Sequence, residues 1–158
     1  MKIFYCCYGS AHSSVVAASI HLGLLPSDRV PTSREFLVLP HYDKTEPFEI
    51  GTPFFMGKDE YGSEIYILGM AGERPLIKRA LLSFFSLLGV DTHGIILIDT
   101  LNSVNLLTKI GGFFSRRLGF VTVGRPLTIL GIQVKYRDFV ELVKAVKKRE
   151  QNKLSQLD

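Results

Sequence analysis

The residues Lys2 to Cys7 form a β-prone run that is apolar after its first residue, and Tyr8-Gly9-Ser10-Ala11-His12 interrupts it with small and polar residues. Ser13-Ser14-Val15-Val16-Ala17-Ala18-Ser19-Ile20 follows with no spacer and reads as a helix of small residues. A strand that delivers its end directly to a helix N-terminus restricts the fold more than any other feature of this chain. The helix start leaves backbone N–H groups without helical acceptors and carries the positive end of the helix dipole, so the loop is a candidate anion site.

The rest of the chain alternates strand and helix patterns. The first helix is expected over 13–23, with Gly23 at its end. Prolines at 26, 31, 40, 47 and 53 punctuate a long connection holding at most a short helix near Thr32 to Leu37. A connection of that length in a compact domain is more often functional than idle. Phe54 to Gly69 reads as two β-prone runs about a polar turn containing Asp59 and Gly62, a β-hairpin or an extended loop entering a strand. Glu73 to Leu88 is an amphipathic helix with Pro75 in its first turn and a wide apolar face of Leu76, Ile77, Ala80, Leu81, Phe84, Phe85 and Leu88.

Gly94 to Thr100 is the clearest interior strand, and a helix is expected from Asn102 or Ser103 to about Arg117 despite Gly111-Gly112. Phe120 to Gly124 reads as a short buried strand, with Pro126 opening another helical turn. A basic amphipathic helix is expected from Tyr136 to about Gln151, with Phe139, Leu142, Val143 and Val146 inward. Strands separated by helices imply one α/β domain over 1–158: three layers, a mostly parallel sheet with helices on both faces, and a β-hairpin insertion. Right-handed crossovers would bring Cys7–Ser14 and Asp99–Thr100 to the same carboxyl edge.

Composition narrows the function classes. A 46% hydrophobic and 22% charged chain excludes disorder, and no tract approaches about twenty apolar residues, so membrane insertion is not expected and the cytoplasm is the expected location. The formal charge of +4 gathers toward Lys144, Lys147, Lys148, Arg149 and Lys153, where a solvated helix end accounts for it; no nucleic-acid-reading motif accompanies it. Cys6 and Cys7 are adjacent and point to opposite faces of a strand, so they read as reduced thiols, Cys6 in the core.

The candidate anion-binding residues are Gly9, Ser10, Ala11, His12, Ser13 and Ser14. Cys7 is the candidate nucleophile and His12 a candidate acid or base, with Asp99, Thr100 and Arg125 as a possible supporting shell. His21, His41, Asp43 and His93 contain no pair at recognised zinc spacing, so no metal is expected. The loop lacks the Gly-Lys-Ser/Thr of a Walker motif, and no motif specifies a cofactor.

Over nearly its whole length the chain resembles an uncharacterised family of spore-forming Gram-positive bacteria. The residues that carry the resemblance are Cys7 to Val15, Ile20-His21-Leu22-Gly23, Gly57 to Gly62, Ile110-Gly111-Gly112-Phe113 and Gly124-Arg125-Pro126. That family implies no activity. Locally, Cys7-Tyr8-Gly9-Ser10-Ala11-His12-Ser13-Ser14 resembles the Cys-x-Gly-Asn-x-x-Arg-Ser loop of low-molecular-weight tyrosine phosphatases and related arsenate reductases. The resemblance implies a nucleophilic thiolate at Cys7 and a serine partner at Ser14. Ser13 stands where that loop has its arginine, and no Asp-Pro dipeptide supplies the usual general acid. A neutral hydroxyl does not replace a bidentate cation, so the arginine would have to come from Arg116, Arg117 or Arg125.

The expected function is binding of a phosphate-bearing small molecule or nucleotide at Cys7–Ser14, with phosphoryl-transfer or hydrolase chemistry open. The alternative is a non-enzymatic regulatory or scaffold protein that binds a protein partner through its apolar surface or basic C-terminal helix.

Overall fold

The computed structural model describes residues 1–101 and 121–156, with side chains throughout except at 121–125. Their fold is mixed α/β, an open sheet of four strands with five described helices. The strands are β1 (Lys2–Cys7), β2 (Pro53–Lys58), β3 (Glu64–Gly69) and β4 (Ile95–Asp99). They lie in the order β2-β3-β1-β4, with β1 parallel to both β3 and β4 and β2 antiparallel to β3. The central place of β1 explains its near-total burial, since only Lys2 is exposed.

The helices are α1 (Ser13–His21), α2 (Ser33–Leu37), α3 (Arg74–Leu87), α4 (Val121–Val134) and α5 (Tyr136–Leu154). Two apolar clusters meet the sheet. The larger joins Ile3 and Tyr5 of β1 and Ile65, Ile67, Ile96 and Ile98 of its neighbours to residues of α1, α2, α4 and α5. The smaller holds Phe4, Cys6, Leu68, Met70 and Ile95, with Ile77, Leu81 and Phe85 of α3 packed against it. The alternation of Ile3 and Tyr5 with Phe4 and Cys6 follows from the two-residue period of a strand. Each fully buried Ile or Phe stabilises by about 1.5–3 kcal/mol relative to exposure.

Every residue of α1 is buried, because it packs on β1, β3 and α5 together. Ala17, Ala18 and Ser19 make that close approach possible. On α5 the inward positions are Tyr136, Phe139, Val140, Val143, Val146 and Glu150, while Leu142 is only partly buried.

Three sequence expectations need correction. The residues Val121 to Gly124, read as strand from their β-branched side chains, begin the helix α4, with Pro126 inside it. Ile129, Ile132 and Tyr136 recur at three- and four-residue intervals and bury in the large cluster, so tertiary burial overrides strand propensity. On α3 no residue is fully buried: among the described residues Ile77, Leu81 and Phe85 pack against the small cluster, and Leu76, Phe84 and Leu88 are exposed. The first helix ends at His21 rather than at 23, with Gly23 at φ 71° just beyond it. The helix expected over 102–117 lies outside the described residues. Among those described, no helix is long and apolar enough to cross a membrane.

Candidate anion site at the end of the first strand

β1 ends at Cys7, on the same side as Ile3 and Tyr5, so its thiol faces α1. The Ser10 N–H donates to Cys7 Sγ at 3.1 Å, and Ser14 Oγ lies 3.0 Å from the same sulfur. Ser10 adopts φ 55°, a left-handed conformation that bends the loop back over the strand end. Val16 N–H makes a helical bond to the His12 carbonyl, 2.9 Å. The amides of Ser13, Ser14 and Val15 precede it and have no acceptor inside the helix. His12, at the N-cap, makes no side-chain cap.

Neighbouring elements hold the loop from three sides. Thr100, immediately after β4, donates its hydroxyl to the Cys6 carbonyl at 2.9 Å and places Oγ1 2.9 Å from Ser13 Oγ. After β3, Met70 and Ala71 donate their N–H groups to the carbonyls of Cys7 and Tyr8, at 2.8 and 2.9 Å. Gly69 leaves room for that approach, since a Cβ would lie a tight 3.1 Å from Gly9 Cα. From the long connection, Thr45 Oγ1 donates to the Gly9 carbonyl at 2.8 Å, and Asp43 N–H to that of Ala11 at 2.9 Å. Asp43 also pairs with His12 across 3.2 Å, and the Tyr42 ring meets His12 edge-on.

The expected residues therefore divide by what they do. Ser13 and Ser14 spend their hydroxyls inside the loop, on Thr100 and Cys7. Ser10 Oγ is buried and has no hydrogen-bond partner among the described residues, so it keeps capacity that they do not use. Thr100 is joined directly to the loop. Asp99 stands at the same sheet edge, register-paired with Cys6, but its carboxylate is engaged by the Leu101 N–H and by Arg74 Nε, each at 2.9 Å. Of the arginines proposed from sequence, Arg116 and Arg117 lie outside the described residues, as does the Arg125 side chain. Arg74 was missed. It opens α3, three residues beyond the Ala71 that binds the Tyr8 carbonyl, and a sequence reading has no local motif by which to find it.

The two cysteines have separate environments. Cys6 enters the small cluster, and burial pushes its thiol up to about 12, which leaves it inert. Cys7 has two polar groups at its sulfur instead. A thiol so placed, at an uncapped helix start, can act as an anion-site wall or as a nucleophile.

Among the described residues one group has metal-ligand geometry, and it lies elsewhere: His21, Asp59 and Glu150, whose ligand atoms all fall within 4.8 Å of one another. Three separate elements supply them, which is why no spacing in the sequence marked them.

The fold defines a mixed α/β protein with a strand-loop-helix candidate site beside the parallel part of its sheet. The chain belongs to the family described as a protein of unknown function, DUF3189, whose model matches residues 2–148. Neither the curated proteins nor the solved structures gave a match to this chain.

Proposed function

We propose that the protein binds a phosphate-bearing small molecule or a nucleotide at Cys7–Ser14. The observation that carries this is the convergence of the Ser10 amide and the Ser14 hydroxyl on Cys7 Sγ at a helix N-terminus with no side-chain cap. Cations and free amides suit a phosphoryl group. Arg74 supports the reading as the cation source, because it is held by Asp99 at the same sheet edge. If Cys7 attacked a bound phosphate ester, an S–P bond would form as the ester P–O bond broke. His12, oriented by Asp43, is the group suited to give a proton to the leaving oxygen. The two core clusters on the sheet support a three-layer arrangement, with α3 on one face and α1, α2, α4 and α5 on the other. Free Cys6 and Cys7 are consistent with a cytoplasmic setting.

The test is titration of the full chain with inorganic phosphate, sulfate and a nucleoside triphosphate, followed by amide NMR. Binding should shift the amides of residues 9–14, and Arg74→Gln should weaken it about tenfold, the loss of roughly one charge-assisted hydrogen bond. Millimolar phosphate that leaves those amides unmoved rejects the reading.

The alternative, a regulatory or scaffold protein with a protein partner, draws its support from α3, where Leu76, Phe84, Leu87 and Leu88 are exposed. The basic helix supports it less. Lys147 of α5 is tied to Glu60, Lys144 to Glu141, and Lys153 to the His93 carbonyl. Phe84→Glu with Leu87→Glu should abolish association if α3 binds the partner, and leave phosphate binding intact.

A further inference from the structure

His21 ends α1, Asp59 begins the turn between β2 and β3, and Glu150 lies near the end of α5. Their side chains are wholly buried. His21 Nε2 faces Asp59 Oδ2 at 3.0 Å and Glu150 Oε2 at 3.5 Å. The other ring nitrogen, Nδ1, lies 2.8 Å from the buried Tyr5 hydroxyl, a contact that fixes the imidazole plane. Asp59 is held from behind: its Oδ1 accepts the Tyr61 and Ser63 N–H groups, each at 2.9 Å, which leaves Oδ2 for the cluster.

Glu150 is the member least satisfied by its neighbours, meeting His21 Nε2 only at 3.5 Å. Among the described residues neither of its carboxylate oxygens receives a hydrogen bond, although the residue is fully buried; Ser63, also fully buried, has a hydroxyl with no partner among them. Two carboxylates turned toward one imidazole in a site without solvent are costly unless a proton or a cation offsets them.

We propose that His21, Asp59 and Glu150 bind a divalent transition-metal ion of the zinc class. One imidazole nitrogen and two carboxylate oxygens are a ligand set that such ions accept, and the two carboxylates neutralise a dication. Tetrahedral coordination with bonds of about 2.1 Å places ligand atoms about 3.4 Å apart, close to the 3.0 and 3.5 Å already present. The Ser63 hydroxyl or a water completes the shell. The ion would be structural: it would pin α1, the β2–β3 turn and α5 together from inside the core.

The full chain, stripped with a chelator and dialysed, is titrated with Zn²⁺ alone and with Co²⁺ alone. The expected results are about one ion per chain by elemental analysis, a rise in thermal midpoint on adding Zn²⁺, and a visible Co²⁺ absorption band of four-coordinate intensity. Paramagnetic shifts should fall on the His21 and Tyr5 rings. Glu150→Gln and His21→Gln should each lower Zn²⁺ affinity at least a hundredfold, while His93→Gln should leave it unchanged. A folded wild-type chain that retains no Zn²⁺ overturns the proposal, as do undiminished affinity in both variants or paramagnetic shifts confined to other residues. Should a variant fail to fold, the Co²⁺ shifts in the wild-type chain decide.

Discussion

The Cys7 sulfur lies 3.0 Å from the Ser14 hydroxyl, joining the last residue of β1 to the first turn of α1. Strand end and helix start thus share a polar contact inside a region that is otherwise packed. Ser14→Ala removes that hydroxyl while leaving Cβ in place. It should destabilise the protein by about 1 kcal/mol and change the rate at which iodoacetamide alkylates Cys7 in the native state. Cys6 should remain unmodified in both proteins, its thiol being raised to about 12 by burial. Mass mapping of the alkylated peptide checks both statements, and equal Cys7 rates in the two proteins would remove the serine from any role at the sulfur.

Thr100 binds the loop from the far side of β1. Its hydroxyl serves the Cys6 carbonyl and stands beside Ser13 Oγ. Thr100→Val is nearly isosteric but leaves buried polar atoms without their partner, at a cost of about 1–3 kcal/mol. Urea denaturation should show a lower midpoint with an unchanged slope.

Gly69 is fixed by close approach. A Cβ there would meet Gly9 Cα and Ser10 Oγ at 3.1 Å and the Gly9 carbonyl carbon at 3.2 Å. Backbone cannot yield as a side-chain tip does, so Gly69→Ala should displace the loop. The expected stability loss is about 1–3 kcal/mol, and phosphate-induced shifts at residues 9–14 should disappear with it. An alanine variant that binds phosphate as the parent does would separate the loop position from the β3 end.

The start of α2 carries a pH-dependent contact. Arg29 pairs with Glu35, whose carboxylate also accepts the Thr32 N–H and hydroxyl, and these bonds hold Glu35 down to about 2. A carboxyl lowered on folding stabilises fully above its ordinary value, about 4.3, and the contribution disappears as pH falls through the folded value. The thermal midpoint should therefore fall between pH 4.5 and 2, and Glu35→Gln should flatten that part of the profile. The Glu35 carboxyl carbon shift in NMR provides the direct titration.

The sequence by itself determined β1, the loop and α1, because strand and helix periods change sharply at Cys7 and Ser13 and every local preference there agrees. It likewise determined β3, β4 and α5, each with an uninterrupted pattern of its own. It also pointed to Thr100 as the loop's neighbour, since parallel strands bring their carboxyl ends to one edge. Only the tertiary structure decided that Val121 to Gly124 is helical, because α4 buries Ile129 and Ile132 against the sheet and that burial exceeds a strand preference of at most about 1 kcal/mol. It alone engaged Asp99 with Arg74, and it alone gathered His21, Asp59 and Glu150, separated by 38 and 91 residues in sequence. Local propensity acts over a few residues, whereas packing brings together distant residues whose spacing along the chain carries no signal.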